Sequence, residues 1–284
     1  MKIGAHVSTS GGIANAPARA AQIGAETIQI FTSIPQTWRK RSISDAEVEA
    51  FRGSLAEHGI GPVFIHAIYL INLATSNPEL LEKSVSALIT DLEHGSRIGA
   101  GGVIFHVGIF QTGSFDDVAP QIIDAIRRIL DATPEDTRLL IENAAGERKG
   151  VGCQFSEIGA LIRGVGSPRL GMCLDTAHAF ASCYDVTDRQ TLDRMMDELD
   201  REVGLERLTA VHANDSKVEC GRGVDRHENI GEGKIGRAGF ENILAHPAFR
   251  DLPLLLEVPG YDGKGPDARN VETLRSLATA VGAA

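Results

Sequence analysis

The stretch from residue 211 to residue 227, VHANDSKVECGRGVDRH, groups side chains that are suited to hold a metal ion. His212 directly follows the apolar run LTAV, and Asp225 and His227 stand two residues apart after a polar, glycine-containing loop. Imidazole and carboxylate are groups through which proteins bind zinc. The spacing predicts a strand that supplies one metal ligand and a loop that supplies two more.

Side chains of the same types stand at or just after the ends of other short apolar runs. In chain order they are His66, His106, Glu142, Asp175, His178 and Glu257. A single histidine in such a place is more often a solvated or capping residue, and a lone Asp-x-His pair is a weak signal. The joint pattern is stronger, because four carboxylates gathered at one place repel one another unless cations lie between them. We expect a metal centre of zinc ions, with manganese or iron as substitutes.

Eight short apolar runs must position these residues, and longer amphipathic segments separate the runs. The predicted strands cover residues 3–7, 27–31, 62–66, 102–106, 138–142, 170–175, 208–212 and 253–257. Continuous apolar runs of this kind are typical of a parallel sheet that is covered on both faces. Strand number and chain length favour an α/β fold, a (β/α)8 TIM barrel that forms one domain over residues 1–284. An open doubly wound sheet is the alternative, but no GxGxxG turn follows the first strand.

Helices are predicted between the strands from periodicity and capping residues. They cover residues 15–24, 45–58, 78–98, 116–130, 155–163, 188–203 and 267–281, with a short helix starting over residues 239–244. Ser44 or Asp45 can cap the second helix, Gly59 can close it, and Pro78 suits the first turn of the third. In a barrel of this kind the carboxyl ends of all strands meet at one pole, where active sites lie. His6 lies at the end region of the first strand and faces that pole, which suggests a supporting or substrate-binding role.

The composition restricts the partners and the compartment. The net charge is −10, so no basic nucleic-acid footprint exists at the level of the whole chain. Three dications against four carboxylates would still leave about two positive charges at the site, enough to hold a phosphate backbone. The four cysteines form no CxxC pair, and no signal peptide or membrane-spanning run is apparent. We expect a cytoplasmic protein with reduced thiols and no membrane partner.

Several segments identify a family resemblance over nearly the whole chain. They are GAHVSTSGG near the start, HAIYLINLA from His66, IEN at 141–143, GMCLDTAH at 171–178, HANDSK from His212 and DRHENIGEG from Asp225. With these the chain resembles the endonuclease IV family of apurinic/apyrimidinic (AP) endonucleases. The resemblance implies a trinuclear zinc site and a role in base excision repair. The implied reaction is incision of double-stranded DNA on the 5′ side of an abasic site, giving a 3′-hydroxyl and a 5′-deoxyribose phosphate, together with 3′-end cleaning.

The resemblance also implies which residues bind which ion. The first zinc would be held by His66, His106 and Glu142, the second by Glu142, Asp175, His212 and Glu257, and the third by His178, Asp225 and His227. Glu142 would bridge two ions and orient the attacking water, which makes it the implied catalytic residue. Because one chain supplies all of these ligands, we expect a monomer.

Residues in loops are candidates for DNA contacts. They are Gln36, Trp38, Arg39, Tyr69, Leu70, Lys217, Arg222 and Arg226. Trp38 and Arg39 begin a cluster with two more cations that is either a DNA contact or a solvated turn, and the resemblance suggests that Tyr69 and Leu70 wedge into the base stack. Arg226 either contacts phosphate or orients Asp225.

The chain departs from the family at four loop positions. Ile34 stands where members often have asparagine, and Gln36 stands where some have an arginine that probes DNA. Ile68 and Arg222 each replace a small residue. We expect all four to touch DNA or line the site, so they bear on lesion recognition and leave the metal chemistry unchanged.

Two other functions compete with the nuclease. The first is a metal-dependent sugar isomerase or epimerase of the xylose-isomerase-like group, which shares the fold and some strand-end ligands. Such enzymes generally use one or two metals and have no need of Asp225 and His227. The second is a metal-binding module that senses DNA damage without cleaving it. Metal content and incision of an abasic oligonucleotide separate the three.

Overall fold

The fold, described for residues 1–146 and 149–283 of a computed structural model, is a closed barrel of eight parallel strands. The barrel strands are β1 Lys2–His6, β2 Ile28–Ile30, β3 Val63–His66, β4 Gly102–Phe105, β5 Arg138–Glu142, β6 Leu170–Asp175, β7 Leu208–His212 and β10 Pro253–Leu256. They follow one another around the barrel in chain order, and β10 closes it against β1. The predicted TIM barrel is confirmed.

Helices surround the barrel, and all but α6 lie at the predicted places. They are α1 Ala16–Gln22, α2 Asp45–His58, α3 Pro78–Ile98, α4 Phe115–Asp131, α5 Phe155–Val165, α6 Thr176–Ala181, α7 Arg189–Glu202, α8 Gly236–Ala245 and α9 Ala268–Ala280. In the described part of the chain, no helix is both long and apolar enough to span a membrane.

Local sequence signals explain where the predicted helices begin and end. Ser44 caps α2 through a reciprocal pair of hydrogen bonds with Glu47, and Gly59 ends the helix in the left-handed conformation at φ 66°. Pro78 occupies the first turn of α3, where its missing N–H costs nothing.

Three features differ from the predicted elements. The short helix α6 was not expected, nor was a separate antiparallel hairpin formed by β8 Asp215–Ser216 and β9 His227–Glu228. Strands β4 and β10 end one residue before the predicted ligands His106 and Glu257. These ligands stand on the first residue after the strand, where the barrel still sets their direction.

A small apolar cluster lies apart from the larger core that packs between the strands and helices. Its members come one each from six neighbouring strands: Phe64, Ile104, Leu140, Cys173, Ala210 and Leu255. All are nearly or fully buried. Side chains on one face of a strand recur every second residue. The residue two positions after each member therefore points in the same direction as that member.

Candidate metal centre

A layer of polar side chains lies at the carboxyl ends of the barrel strands. Moving two residues on from each member of the small apolar cluster reaches His66, His106, Glu142, Asp175, His212 and Glu257. His6 and Gln29 complete the layer from β1 and the adjoining β2, where they are register partners. We call these eight residues the polar layer. Strand periodicity therefore brings six predicted ligands to one place.

The first potential metal-binding group is His66, His106 and Glu142, whose ligand atoms lie within 4.8 Å of one another. His66 Nε2 is 3.3 Å and His106 Nε2 is 3.4 Å from the same Glu142 oxygen, Oε2. His66 and Glu142 are buried. The three residues match the predicted first set of ligands.

The second group is Glu142, Asp175, His212 and Glu257. His212 Nδ1 lies 2.9 Å from Glu142 Oε1, 3.3 Å from Glu257 Oε2 and 3.8 Å from Asp175 Oδ2. Asp175 and His212 are register partners across β6 and β7. Glu142 belongs to the first two groups and turns a different oxygen toward each, which is the geometry that a bridging carboxylate requires.

The third group contains Asp175, His178 and His227. The side chain of Asp175 caps α6 by accepting from the His178 N–H at 2.8 Å, and so holds His178 beside the polar layer. Asp225 Oδ1 lies 3.3 Å from His178 Nε2 and 3.1 Å from His227 Nε2. The predicted trio of His178, Asp225 and His227 is therefore brought together, and Asp175 adjoins it at 3.6 Å from His227 Nε2.

Unpartnered ring nitrogens support a cation at the third group. Among the described residues, His178 Nε2 and His227 Nε2 are buried without a hydrogen-bond partner, although a carboxylate oxygen lies within ion-pair distance of each. Buried polar groups are normally hydrogen-bonded, so such atoms need an explanation. Nitrogen and oxygen atoms that converge without bonding one another fit ligands of a shared divalent ion.

Electrostatics couple the groups strongly. Burial alone would raise the pKa of Glu142, but the imidazoles of His106 and His212 hold it well below its usual value. Burial alone would lower the pKa of His227, but the adjacent Asp225 carboxylate and other nearby carboxylates raise it to about 9. In the metal-free protein, imidazolium and carboxylate groups therefore stabilise one another, and a metal ion would displace the imidazolium protons.

Neutral polar residues orient these ligands, and sequence reasoning missed them. Gln29 accepts from the His212 Nε2–H at 2.8 Å through its Oε1 and donates through its Nε2 to Glu257 Oε1 at 2.6 Å. Asn214 donates to Asp175 Oδ2 at 2.7 Å and accepts from the Glu257 N–H at 2.7 Å. Partners of this kind fix the orientation of metal ligands. Asn214 lies two residues after His212 in the HANDSK segment. Its closeness to a predicted ligand in the sequence could therefore have indicated its role.

A cavity of about 390 Å³ opens over the metal-binding groups. Phe31, Tyr69 and Lys264 contribute to its wall beside the predicted ligands. A second cavity, of about 590 Å³, adjoins it at His6 and Phe31 and is lined by Arg39, Lys40, Arg41 and several hydroxyl side chains. Lys264 was missed because a single lysine in a glycine-rich loop carries no pattern. The cavities place cations beside an acidic candidate metal centre.

Most predicted DNA-contacting residues are exposed. They are Gln36, Arg39, Tyr69, Lys217, Arg222 and Arg226. Trp38 and Leu70 differ, because both are partly buried against the core. The Tyr69 N–H donates to the Pro35 carbonyl at 3.0 Å, which ties the loops after β2 and β3 together.

The contacts of two loop side chains bear on their expected roles. Ile68 is only 6% exposed and packs in the core, so the expectation that it touches DNA is wrong. The Arg226 guanidinium donates to the backbone carbonyl of Asp225 at 2.7 Å and leaves the Asp225 carboxylate to the two histidines.

Comparisons with known proteins agree with this architecture. A family model described as a xylose isomerase-like TIM barrel matches residues 17–280. "Probable endonuclease 4" from Methanoculleus marisnigri is 39% identical over 98% of this chain and 99% of its own length. The protein with the same description from a Geobacter species is 40% identical over 97% of this chain and 98% of its own length.

Solved structures show the same likeness. Endonuclease IV from Thermus thermophilus is 36% identical with a TM-score of 0.87, over 99% of this chain and 100% of that one. A D-tagatose 3-epimerase-like protein reaches a TM-score of 0.76 at 17% identity, over 99% of this chain and 98% of that one. The second likeness concerns the fold alone.

Proposed function

This chain belongs to the endonuclease IV family, and from that premise we propose that it is a metal-dependent DNA-repair enzyme. It hydrolyses the phosphodiester bond on the 5′ side of an abasic site in double-stranded DNA, which leaves a 3′-hydroxyl and a 5′-deoxyribose phosphate. The same site cleans blocked 3′ ends. The observation that carries the proposal is the convergence of three ligand groups, two of which share Glu142.

The resident metal would be zinc, three ions per chain, with manganese or iron as substitutes. The ligands would be His66, His106 and Glu142 for the first ion, Glu142, Asp175, His212 and Glu257 for the second, and His178, Asp225 and His227 for the third. Bound zinc supplies Lewis-acid stabilisation of phosphate charge and lowers the pKa of water to about 7. Mixed imidazole and carboxylate ligands suit this metal.

Glu142 performs two tasks in this proposal. Its two oxygens face different histidines, so that one rigid carboxylate fixes the separation of the first two ligand groups. Its lowered pKa keeps it ionised at neutral pH, and it accepts a hydrogen bond from the attacking water and orients it. No side chain forms a covalent intermediate.

DNA recognition would come from the exposed loops around the cavity. Tyr69 is 58% exposed, and its ring packs edge-on to Phe31 at a centroid distance of 5.4 Å, so it is presented rigidly. A rigid aromatic side chain can fill the space of a missing base, and unstacking costs least at a damaged site. Arg39, Lys217 and Arg222 would contact phosphates and offset the acidity of the chain.

We further propose that residues 1–284 act as one domain and as a cytoplasmic monomer. All nine proposed ligands come from the same chain, so that no second copy is needed to complete the site. Mass photometry at assay concentration would test this, and an active dimer with inactive monomers would contradict it.

An incision assay tests the function. The substrate is a labelled duplex oligonucleotide with one tetrahydrofuran abasic analogue, and the control is the same duplex without the lesion. We expect one cut immediately 5′ of the analogue with zinc-loaded protein and none after the metal is stripped with a strong chelator. Binding without incision would leave a damage sensor.

Metal counting separates the sugar isomerase or epimerase alternative. About three ions per chain support the nuclease, whereas one ion would contradict it. Conversion of a ketose by protein that leaves abasic DNA intact would establish the alternative.

A further inference from the structure

Asp215 is a fully buried carboxylate that the proposed reaction does not use. Its Oδ1 accepts from the N–H groups of Ser216 at 2.8 Å and Ile235 at 3.0 Å, and its Oδ2 accepts from those of Gly231 at 2.9 Å and Gly233 at 3.0 Å. The Gly236 N–H is shared between the two oxygens at 3.2 and 3.3 Å. Within the described residues it forms no ion pair, so backbone donors alone hold this charge.

The glycine loop at residues 229–236 is shaped around that carboxylate. Gly231 and Gly236 adopt φ values of 81° and 63°, a region that favours glycine. A Cβ on Gly233 would lie 2.3 Å from Asp215 Oδ1 and 2.5 Å from the Ser216 carbonyl oxygen. The close approach of backbone to carboxylate therefore needs glycine at residue 233.

This loop continues directly from the hairpin that carries two proposed ligands. Ser216 of β8 is the register partner of His227 in β9, and the Lys217 N–H donates to the Arg226 carbonyl at 2.8 Å. On the other side the Lys234 N–H donates to the Ser216 carbonyl at 2.7 Å. Residue 215 thus anchors both strands of the hairpin and the glycine loop at one point.

We propose that Asp215 is a positioning residue for the third ion: its carboxylate holds the glycine loop, and through it the hairpin that presents Asp225 and His227. The inference rests on the proposed metal centre. Strand-borne ligands have the barrel to hold them, whereas the side chain of Asp225 is 55% exposed and depends on the hairpin. Loss of the anchor should therefore lower the affinity for the third ion and leave the affinity for the other two unchanged.

Replacement of Asp215 by asparagine removes the anchor with little change of volume. An amide has one acceptor oxygen, and its NH2 group would face the N–H donors of Gly231 and Gly233. Loss of a group that orients ligands typically lowers metal affinity about 10- to 100-fold. We expect Asp215→Asn to keep two ions of unchanged affinity and to bind the third about 10- to 100-fold more weakly.

The experiment compares wild type, Asp215→Asn, Gly233→Ala and Asp188→Asn. Gly233→Ala disturbs the same loop while keeping the carboxylate. It provides the test of the inference if Asp215→Asn does not fold. Asp188 also accepts a backbone N–H, at the start of α7, and controls for general destabilisation. Native mass spectrometry counts ions in zinc buffers, circular dichroism follows unfolding, and zinc titration of incision gives the half-saturating concentration.

Selective loss of one ion in both loop variants, with incision restored by excess zinc, supports the inference. Unchanged affinity for three ions would overturn it, and so would parallel loss of all ions together with thermal stability, since Asp215 would then be structural only. A wild-type protein that binds no metal would instead contradict the proposed function. The control should retain three ions.

Discussion

The floor and the rim of the cavity are built in different ways. The floor is the polar layer, whose side chains extend from barrel strands and bond one another; Glu142 alone approaches His66, His106, His178 and His212. The rim consists of the exposed loop residues that are proposed to contact DNA. Two of them, Arg39 and Arg222, make no hydrogen bond or ion pair within the described chain. Substitutions in the floor should therefore affect several bonded neighbours and have non-additive effects. Substitutions at the rim should have local effects that add.

The β8–β9 hairpin lies between these two cases. Asp225 lies in the hairpin loop and His227 begins β9, both outside the barrel, yet their side chains approach His178 beside the floor. The proposed metal site needs these two side chains in fixed positions, although the hairpin that carries them lies outside the barrel. Such an element requires an anchor of its own, and Asp215 is placed to provide it.

The largest effect is expected from Glu142→Gln at the centre of the floor. The amide keeps the shape but cannot bridge two ions as an anion. Because losing even an outer partner costs about 10- to 100-fold in metal affinity or activity, we expect incision to fall at least about 100-fold. Glu157→Gln on α5 is the matched control, since Glu157 accepts a backbone N–H from Gly152. Activity of Glu142→Gln within tenfold of wild type would break the distinction between floor and rim.

Metal removal should make stability depend on pH through the ion pair that the hairpin makes beside the floor. His227 has a raised pKa of about 9 against an ordinary 6.5, so its pairing stabilises the metal-free protein fully below pH 6.5. That contribution is lost as pH rises through about 9. Zinc-loaded protein lacks the imidazolium and should not share this loss.

Thermal unfolding of stripped and zinc-loaded protein between pH 6 and pH 9 measures the difference. The midpoint of the stripped protein should fall by several degrees over this range while that of the loaded protein falls less. Parallel curves would show that the paired histidines contribute nothing to the metal-free fold.

The contrast between floor and rim also explains what the sequence could predict. Strands β5, β6 and β7 begin and end where the apolar runs do, and each ends on a predicted ligand. Once eight such runs indicate a barrel, geometry forces their ends together. Floor ligands are therefore readable from local pattern plus one topological rule.

Other features depend on tertiary contacts that leave no local pattern. Gln29 is an uncharged residue in an apolar strand, and its role exists only because β1, β7 and β10 place partners around it. Asp215 is one acid of many, and its partners are backbone N–H groups. Ile68 is buried because the loops after β2 and β3 pack together.

At the rim, Tyr69→Ala should weaken binding to abasic duplex about tenfold, since stacking on a base is worth about 1–3 kcal/mol. Binding to undamaged duplex should change less, and metal content should not change. Partial burial and the nearby carboxylates raise the pKa of Tyr69 to about 12, so its hydroxyl stays neutral and Tyr69→Phe is a fair control with near wild-type affinity. Fluorescence anisotropy measures both duplexes. Equal losses on the two would contradict a lesion-specific wedge.

The smallest effect is expected from Arg39→Ala. One lost phosphate contact should lower the slope of log affinity against log salt by about 1, with kcat unchanged. Arg222→Ala should have the same effect, and in the double variant the slope should fall by about 2. Side chains on separate loops without shared partners act independently. Arg201→Ala, in the last turn of α7, is the control and should leave the slope unchanged. A double variant that loses much more than the two single variants together would mean that the rim is a network like the floor.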